Sequence, residues 1–116
     1  MSGYIPERNH IIWLDFEPSN GKEIGRYRPA LVLSSREYNA LTGLVICCPV
    51  STSIRGAATE VPVDNLEAPS VVAANLVQTL SWRERSVKFA ANASPGVHEQ
   101  VILRIMPLIG AGDLMG

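Results

Sequence analysis

Short apolar runs, each ended by turn residues, recur from His10 to Leu80 and constrain the fold of this chain most strongly. The runs are rich in β-branched residues, which favour strands. Nine glycines and eight prolines in 116 residues mean that the chain turns often. The predicted strands are 10–16, 28–34, 44–50, 59–63 and 71–80, the last being one strand or a pair interrupted at Asn75.

The end of the chain has a different period. From Val97 to Leu108, apolar residues recur every three or four positions, which predicts one amphipathic helix. Ser94 and Pro95 are expected to be its N-cap and first residue. Pro107 should stop or kink it. A shorter helical turn is predicted at 36–40, and a frayed tail at 110–116.

Several short strands followed by one helix predict a mainly β single domain over 1–116, a small, strongly bent sheet or barrel. No apolar run approaches the ~18 residues of a membrane span, and residues 1–10 lack the apolar core of a signal peptide. We therefore expect a cytoplasmic protein. The adjacent Cys47 and Cys48 are expected to be buried free thiols on opposite faces of a strand. No metal or cofactor is expected, since His10 and His98 have no metal-ligand spacing.

A net charge of −1 does not by itself indicate a nucleic-acid partner. The cations nevertheless lie in three short regions, so folding can gather them on one face. They are Arg26, Arg28, Arg36, Arg55, Arg83, Arg85 and Lys88.

Two polar loops carry the candidate chemistry, since function concentrates in loops. One is 17–28, with Glu23, Arg26, Tyr27 and Arg28, and the other is 51–55, with Ser51, Thr52, Ser53 and Arg55. A guanidinium can hold a phosphate and offset developing charge, a hydroxyl can donate to it, and RNA supplies its own nucleophile, the 2′-OH. A phosphodiester-transfer site is one interpretation, and ordinary solvated loops are the other.

The order of motifs resembles the MazF/PemK toxin family. The resemblance starts with 11–23 (IIWLDFEPSNGKE) and 25–34 (GRYRPALVLS). It continues through Tyr38 and Asn39, 48–52 (CPVST) and 80–85 (LSWRER), and ends in the amphipathic helix. It therefore covers nearly the whole chain.

The resemblance implies an SH3-like β-barrel with a C-terminal helix, assembled as a homodimer. It implies a sequence-specific endoribonuclease that cuts single-stranded RNA to a 2′,3′-cyclic phosphate and a 5′-hydroxyl. It also implies a MazE-like antitoxin whose acidic segment covers the RNA groove. The family's catalytic arginine falls on Arg28, its catalytic threonine on Ser51 and a loop glutamate on Glu23, which either acts as a base or orients Arg28.

RNA contacts are expected from a wider set of residues. Arg85 matches an arginine of the family's Trp-Arg-x-Arg stretch, and Arg83 and Lys88 are near it; a solvated edge is the alternative for these three. Trp13 and Trp82 are expected to be core or dimer-interface groups. The other candidate RNA contacts are Arg26, Tyr27, Thr52 and Arg55.

The chain departs from the family pattern at several positions. Ser51 replaces threonine, Tyr27 stands where some members have histidine, and Asn75 and Leu76 replace an acid and a glutamine. These changes leave two alternatives open: a catalytically inactive RNA- or protein-binding barrel, or a gyrase-directed toxin like the fold-related CcdB proteins.

Overall fold

A computed structural model describes residues 3–16 and 27–111 of the chain. Its elements are β1 (His10–Asp15), β2 (Tyr27–Val32), α1 (Arg36–Thr42), β3 (Leu44–Ser51), β4 (Glu60–Val63), β5 (Ser70–Ala73), β6 (Gln78–Ser81), β7 (Lys88–Asn92) and α2 (Val97–Ile105). Short 3-10 segments follow β5 and α2, at Ala74–Leu76 and Met106–Ile109. The predicted run 71–80 is therefore a pair of strands interrupted around Asn75.

All strands pair antiparallel, in the order β4-β5-β3-β2-β1-β7, with β6 also paired to β3. The long strand β3 pairs with β6 through Leu44 to Cys47 and with β5 through Val50 and Ser51. Pro49 lies at the break between these two ladders, where a residue without an N–H is tolerated. Because β3 passes from one ladder to the other, the sheet curls into a half-barrel.

Each face of the sheet carries a buried apolar cluster. On one face, α2 packs Val97, Val101 and Ile105 against a core that includes Leu31 and Cys48. On the other, Ala30, Val32 and Cys47 pack against Trp82 and the N-terminal segment. The two cysteines are thus buried free thiols on opposite faces, as predicted. The expectation of a core tryptophan is confirmed for Trp82.

Both helices begin or end differently from the prediction. α1 runs two residues past the predicted end at residue 40, since its C-cap, Gly43, takes a left-handed φ of 73°. Pro95 is not the first residue of α2, which begins at Val97 after Gly96 with φ 93°. The Ser94 hydroxyl donates to Asp64 instead of capping the helix. At the other end α2 stops at Ile105, ahead of Pro107, as expected.

No helix within 3–16 and 27–111 has both the length and the apolar character needed to cross a bilayer. Gly110 ends the last 3-10 segment with φ 80°. The rest of the predicted tail, 112–116, lies outside the described residues.

Candidate active site

The pairing of β2 with β3 brings Arg28 close to Ser51. Ala30 pairs with Pro49 and Leu31 with Cys48. Continuing this register by two residues toward the start of β2 places Arg28 beside Ser51. Both side chains line one open groove of about 410 Å³. Its other polar lining residues are Ser53, Arg55, Thr59, Glu60 and Asn75.

The groove lies on the sheet face opposite α2. Val50 and Val72 point into the core that α2 covers, and neighbouring residues of a strand point to opposite faces. Ser51, Val71 and Ala73 therefore project to the other side, where they line the groove. The helix supports the site from behind without closing it.

The groove is suited to an anion. The guanidinium of Arg28 is exposed and makes no hydrogen bond or ion pair with any residue of 3–16 or 27–111. Arg55 also lines the groove, and its side chain is equally unengaged within those ranges. The acid of the described lining, Glu60, is bonded to backbone N–H groups instead. Two guanidinium groups are therefore available to a phosphate, which they can bind bidentately.

Ser51 is both a turn residue and an available donor. Its Oγ accepts a hydrogen bond from the Ser53 N–H at 2.9 Å, so the hydroxyl does organise the local backbone. A hydroxyl that accepts in this way still has its own proton to donate. That proton is the part of Ser51 that a phosphoryl oxygen would use.

Comparison with known proteins places the chain in a family. Residues 7–109 match the family described as PemK-like, MazF-like toxin of type II toxin–antitoxin system. The chain belongs to the MazF/PemK family. It is 34% identical to the Escherichia coli K12 endoribonuclease toxin MazF over 110 residues, which are 95% of this chain and 99% of the relative.

Solved MazF structures agree with this assignment. MazF from Deinococcus radiodurans superposes with a TM-score of 0.82 at 39% identity, covering 92% of this chain and 98% of the other. A MazE–MazF complex from the same organism gives 0.80 at 35% identity, covering 92% and 97%. The predicted fold, a small barrel-like sheet with a C-terminal helix, is confirmed.

Several residues predicted to contact RNA lie away from the groove. Arg83 donates to the Ala40 carbonyl at 2.7 Å, and its guanidinium lies 5.2 Å from the Trp82 ring. Arg85 donates to the carbonyls of Asp15 and Phe16 at 2.9 and 2.8 Å. Both guanidinium groups therefore already donate hydrogen bonds to backbone carbonyls, although Arg83 remains exposed.

Tyr27 and its surroundings are on the other face of β2 from Arg28. The Tyr27 ring stacks on Trp13 with centroids 5.7 Å apart, and its hydroxyl donates to the Ser86 carbonyl at 3.0 Å. Lys88 pairs with Trp13 across β1 and β7. Trp13 is 37% exposed and so is not a core residue. Thr52 is exposed on the loop after β3 but does not line the groove.

Two nominated residues, Glu23 and Arg26, lie outside the described residues. The structure adds Glu60 and Thr59 to the groove, neither of which the family motifs nominate. The only signal for Glu60 was its position at the start of an alternating strand. Asn75 and Leu76, singled out as departures from the family, both line the groove.

Groups with other reactive chemistry are not in the groove. Burial raises the pKa of both Cys47 and Cys48 to about 12, so neither thiol is a nucleophile at neutral pH. Neither His10 nor His98 lines the groove. Within the described ranges, no group of three or more His, Cys, Asp or Glu side chains is arranged to hold a metal ion.

Proposed function

We propose that this chain is the toxin of a toxin–antitoxin pair, and that its groove cleaves single-stranded RNA with Arg28 and Ser51 and without a metal ion. The protein is an endoribonuclease, as its MazF relatives are named. The observation that carries the site assignment is the shared groove on adjacent strands, which holds a hydroxyl and a guanidinium that has no partner among residues 3–16 and 27–111.

The reaction is an intramolecular transesterification. The 2′-oxygen attacks the neighbouring phosphorus, the bond to the 5′-oxygen breaks, and the products are a 2′,3′-cyclic phosphate and a 5′-hydroxyl. Arg28 and Ser51 donate to the phosphoryl oxygens, on which charge develops. Arg28 also supplies the proton to the leaving 5′-oxygen, and the proton released by the 2′-OH passes to Glu23 or to solvent water, from which Arg28 is reprotonated. Metal is not needed because the substrate contains the nucleophile and the guanidinium offsets the charge.

Glu23 is proposed to assist, either as the base that accepts the 2′-OH proton or as the carboxylate that orients Arg28. Arg26 is proposed to contact RNA beside it. Arg55 is the best-supported further RNA contact, since it lines the groove. Thr52, Tyr27, Arg83, Arg85 and Lys88 are proposed as contacts along the path of the strand beyond the groove.

The proposed partners follow from the family and from the surface. Complexes of MazF with MazE have been solved, and we expect a MazE-like antitoxin with an acidic segment that competes with RNA for the two groove arginines. A homodimer is supported by an apolar hollow of about 500 Å³ on the α2 side, lined by Ile46, Val77, Ile102 and Ile109. We propose mRNA as the substrate and, on that basis, the cytoplasm as the site of action.

The function is tested by incubating purified protein with a long single-stranded RNA in excess EDTA and mapping the new ends. We expect cuts at a defined short sequence, with a cyclic phosphate upstream and a hydroxyl downstream. Cleavage that EDTA abolishes would indicate a metal nuclease. RNA binding without any cleavage would favour a non-catalytic barrel, and inhibition of gyrase instead would favour a CcdB-like toxin.

Replacing Ser51 with alanine is expected to lower kcat about a hundredfold, the usual cost of one lost donor to the reacting phosphate. Ser51→Thr is the matched control, since it keeps the hydroxyl and restores the methyl that fixes its rotamer. It should retain at least wild-type activity. Single-turnover cleavage of one RNA separates the two variants, and equal activity of Ser51→Ala and wild type would remove Ser51 from the mechanism.

A further inference from the structure

Glu60 closes the loop that forms one wall of the groove. Its Oε1 accepts hydrogen bonds from the N–H groups of Arg55, Gly56 and Ala57 at 3.2, 2.9 and 3.3 Å. Its Oε2 accepts from the Arg55 N–H at 3.2 Å. In return, the backbone N–H of Glu60 donates to the Ala57 carbonyl at 3.0 Å. One carboxylate therefore gathers three consecutive backbone donors.

Little else in the described structure holds this loop in place. Residues 52–58 are all exposed, so burial of apolar side chains does not fix their positions. Gly56 has a left-handed φ of 76°, which lets successive N–H groups converge in the manner of an anion-binding nest. The Glu60 carboxylate occupies that nest. The shape of the loop thus depends largely on one side chain at the start of β4.

The loop in turn presents side chains to the substrate groove. Ser53, Arg55 and Ala57 alternate along the loop and all line the groove. Because Glu60 bonds to the Arg55 backbone and not to its guanidinium, the cationic end of Arg55 has no partner among residues 3–16 and 27–111 and can contact a ligand.

We infer that Glu60 is a positioning residue for RNA binding. It holds the 52–58 loop so that Arg55 contacts one phosphate of the bound RNA, while the neighbouring phosphate of the same RNA lies at Arg28 and Ser51. The inference rests on the proposed function of the groove. Glu60 is not assigned as a base, since both of its oxygens are already occupied by backbone donors. Its loss should therefore weaken substrate binding and leave the chemical step intact.

Glu60→Gln provides a test in which two explanations predict opposite signs. Simple electrostatics predicts tighter RNA binding, because the variant removes a negative charge from the groove. A positioning role predicts weaker RNA binding. The glutamine amide has only one acceptor oxygen, and its NH2 group would face a backbone N–H of the loop, so the loop would be held less well. We expect KM to rise about tenfold, the cost of losing charge-assisted hydrogen bonds, with kcat nearly unchanged. A KM that falls or stays constant would overturn the inference.

Hydrogen exchange on the free protein gives a readout that does not depend on cleavage. The amides of 55–57 should exchange faster in Glu60→Gln than in wild type, while those of β2 and β3 stay protected. Glu99→Gln is the matched control, because it removes the same charge from α2 on the opposite face and should change neither KM nor loop exchange. Unchanged exchange at 55–57 in Glu60→Gln would show that another group holds the loop.

Gly56→Ala disturbs the same loop without a change of charge. Since alanine disfavours the left-handed conformation, this variant should raise KM in the same direction as Glu60→Gln. A wild-type protein that cleaves no RNA would refute the proposed function, whereas active wild type with normal KM in both variants would refute only the role of Glu60.

Discussion

Arg28→Ala is expected to lower the rate of RNA cleavage about a hundred- to a thousandfold, the range found when one preorganised donor is removed from a reaction that develops charge. The fold should not change, because the Arg28 side chain is exposed and bonded to no residue within 3–16 and 27–111. Single-turnover cleavage and thermal unfolding measure the two effects separately.

The matched control is Arg28→Lys. Lysine keeps the positive charge but not the planar fork that binds two phosphate oxygens at once. We expect this variant to bind RNA nearly as well as wild type and to cleave it much more slowly. Full cleavage by Arg28→Ala would refute the mechanism, and full cleavage by Arg28→Lys would reduce the arginine to a general source of charge.

Asn39→Ala is expected to lower the free energy of unfolding by about 2–4 kcal/mol, since it leaves buried polar groups without partners. Asn39 is fully buried. Its Nδ2 donates to the Pro6 carbonyl at 2.8 Å, and its Oδ1 accepts from the Ser34 hydroxyl. The Ser34 Oγ in turn accepts from the Ile46 N–H at 2.9 Å. The Asn39 network thus links the N-terminal segment, the connection between β2 and α1, α1 itself and β3.

Urea denaturation measures this effect, and the same helix offers a control. Leu41 is 84% exposed, so Leu41→Ala should change the free energy of unfolding by less than about 0.5 kcal/mol. A cost for Asn39→Ala as small as that for Leu41→Ala would mean that the Asn39 network does not stabilise the fold. The residual activity of folded Asn39→Ala should match wild type, because Asn39 does not line the groove.

The family motifs marked Tyr38 and Asn39 without giving Asn39 a role. Its backbone carbonyl accepts the Trp82 Nε1–H at 2.9 Å, so a motif near residue 39 and a motif near residue 82 meet in space. Asn39 and Trp82 are 43 positions apart, so local sequence spacing cannot predict this hydrogen bond.

The sequence by itself predicted every strand except β7, together with the C-terminal helix and the buried cysteine pair, since side-chain period and turn residues act over a few positions. The resemblance to the family's motifs led to the prediction of Arg28 and Ser51 as site residues, and both line one groove. Local sequence did not predict the start of α2. Pro95 was expected to be its first residue, but the helix begins after Gly96, and Ser94 bonds to Asp64 instead of capping it. Only the tertiary structure decided which cations share the groove, because that depends on strand register and on which face each residue occupies. Hence Arg28 and Arg55 line it together with Glu60, while Arg83 and Arg85 bond to distant carbonyls.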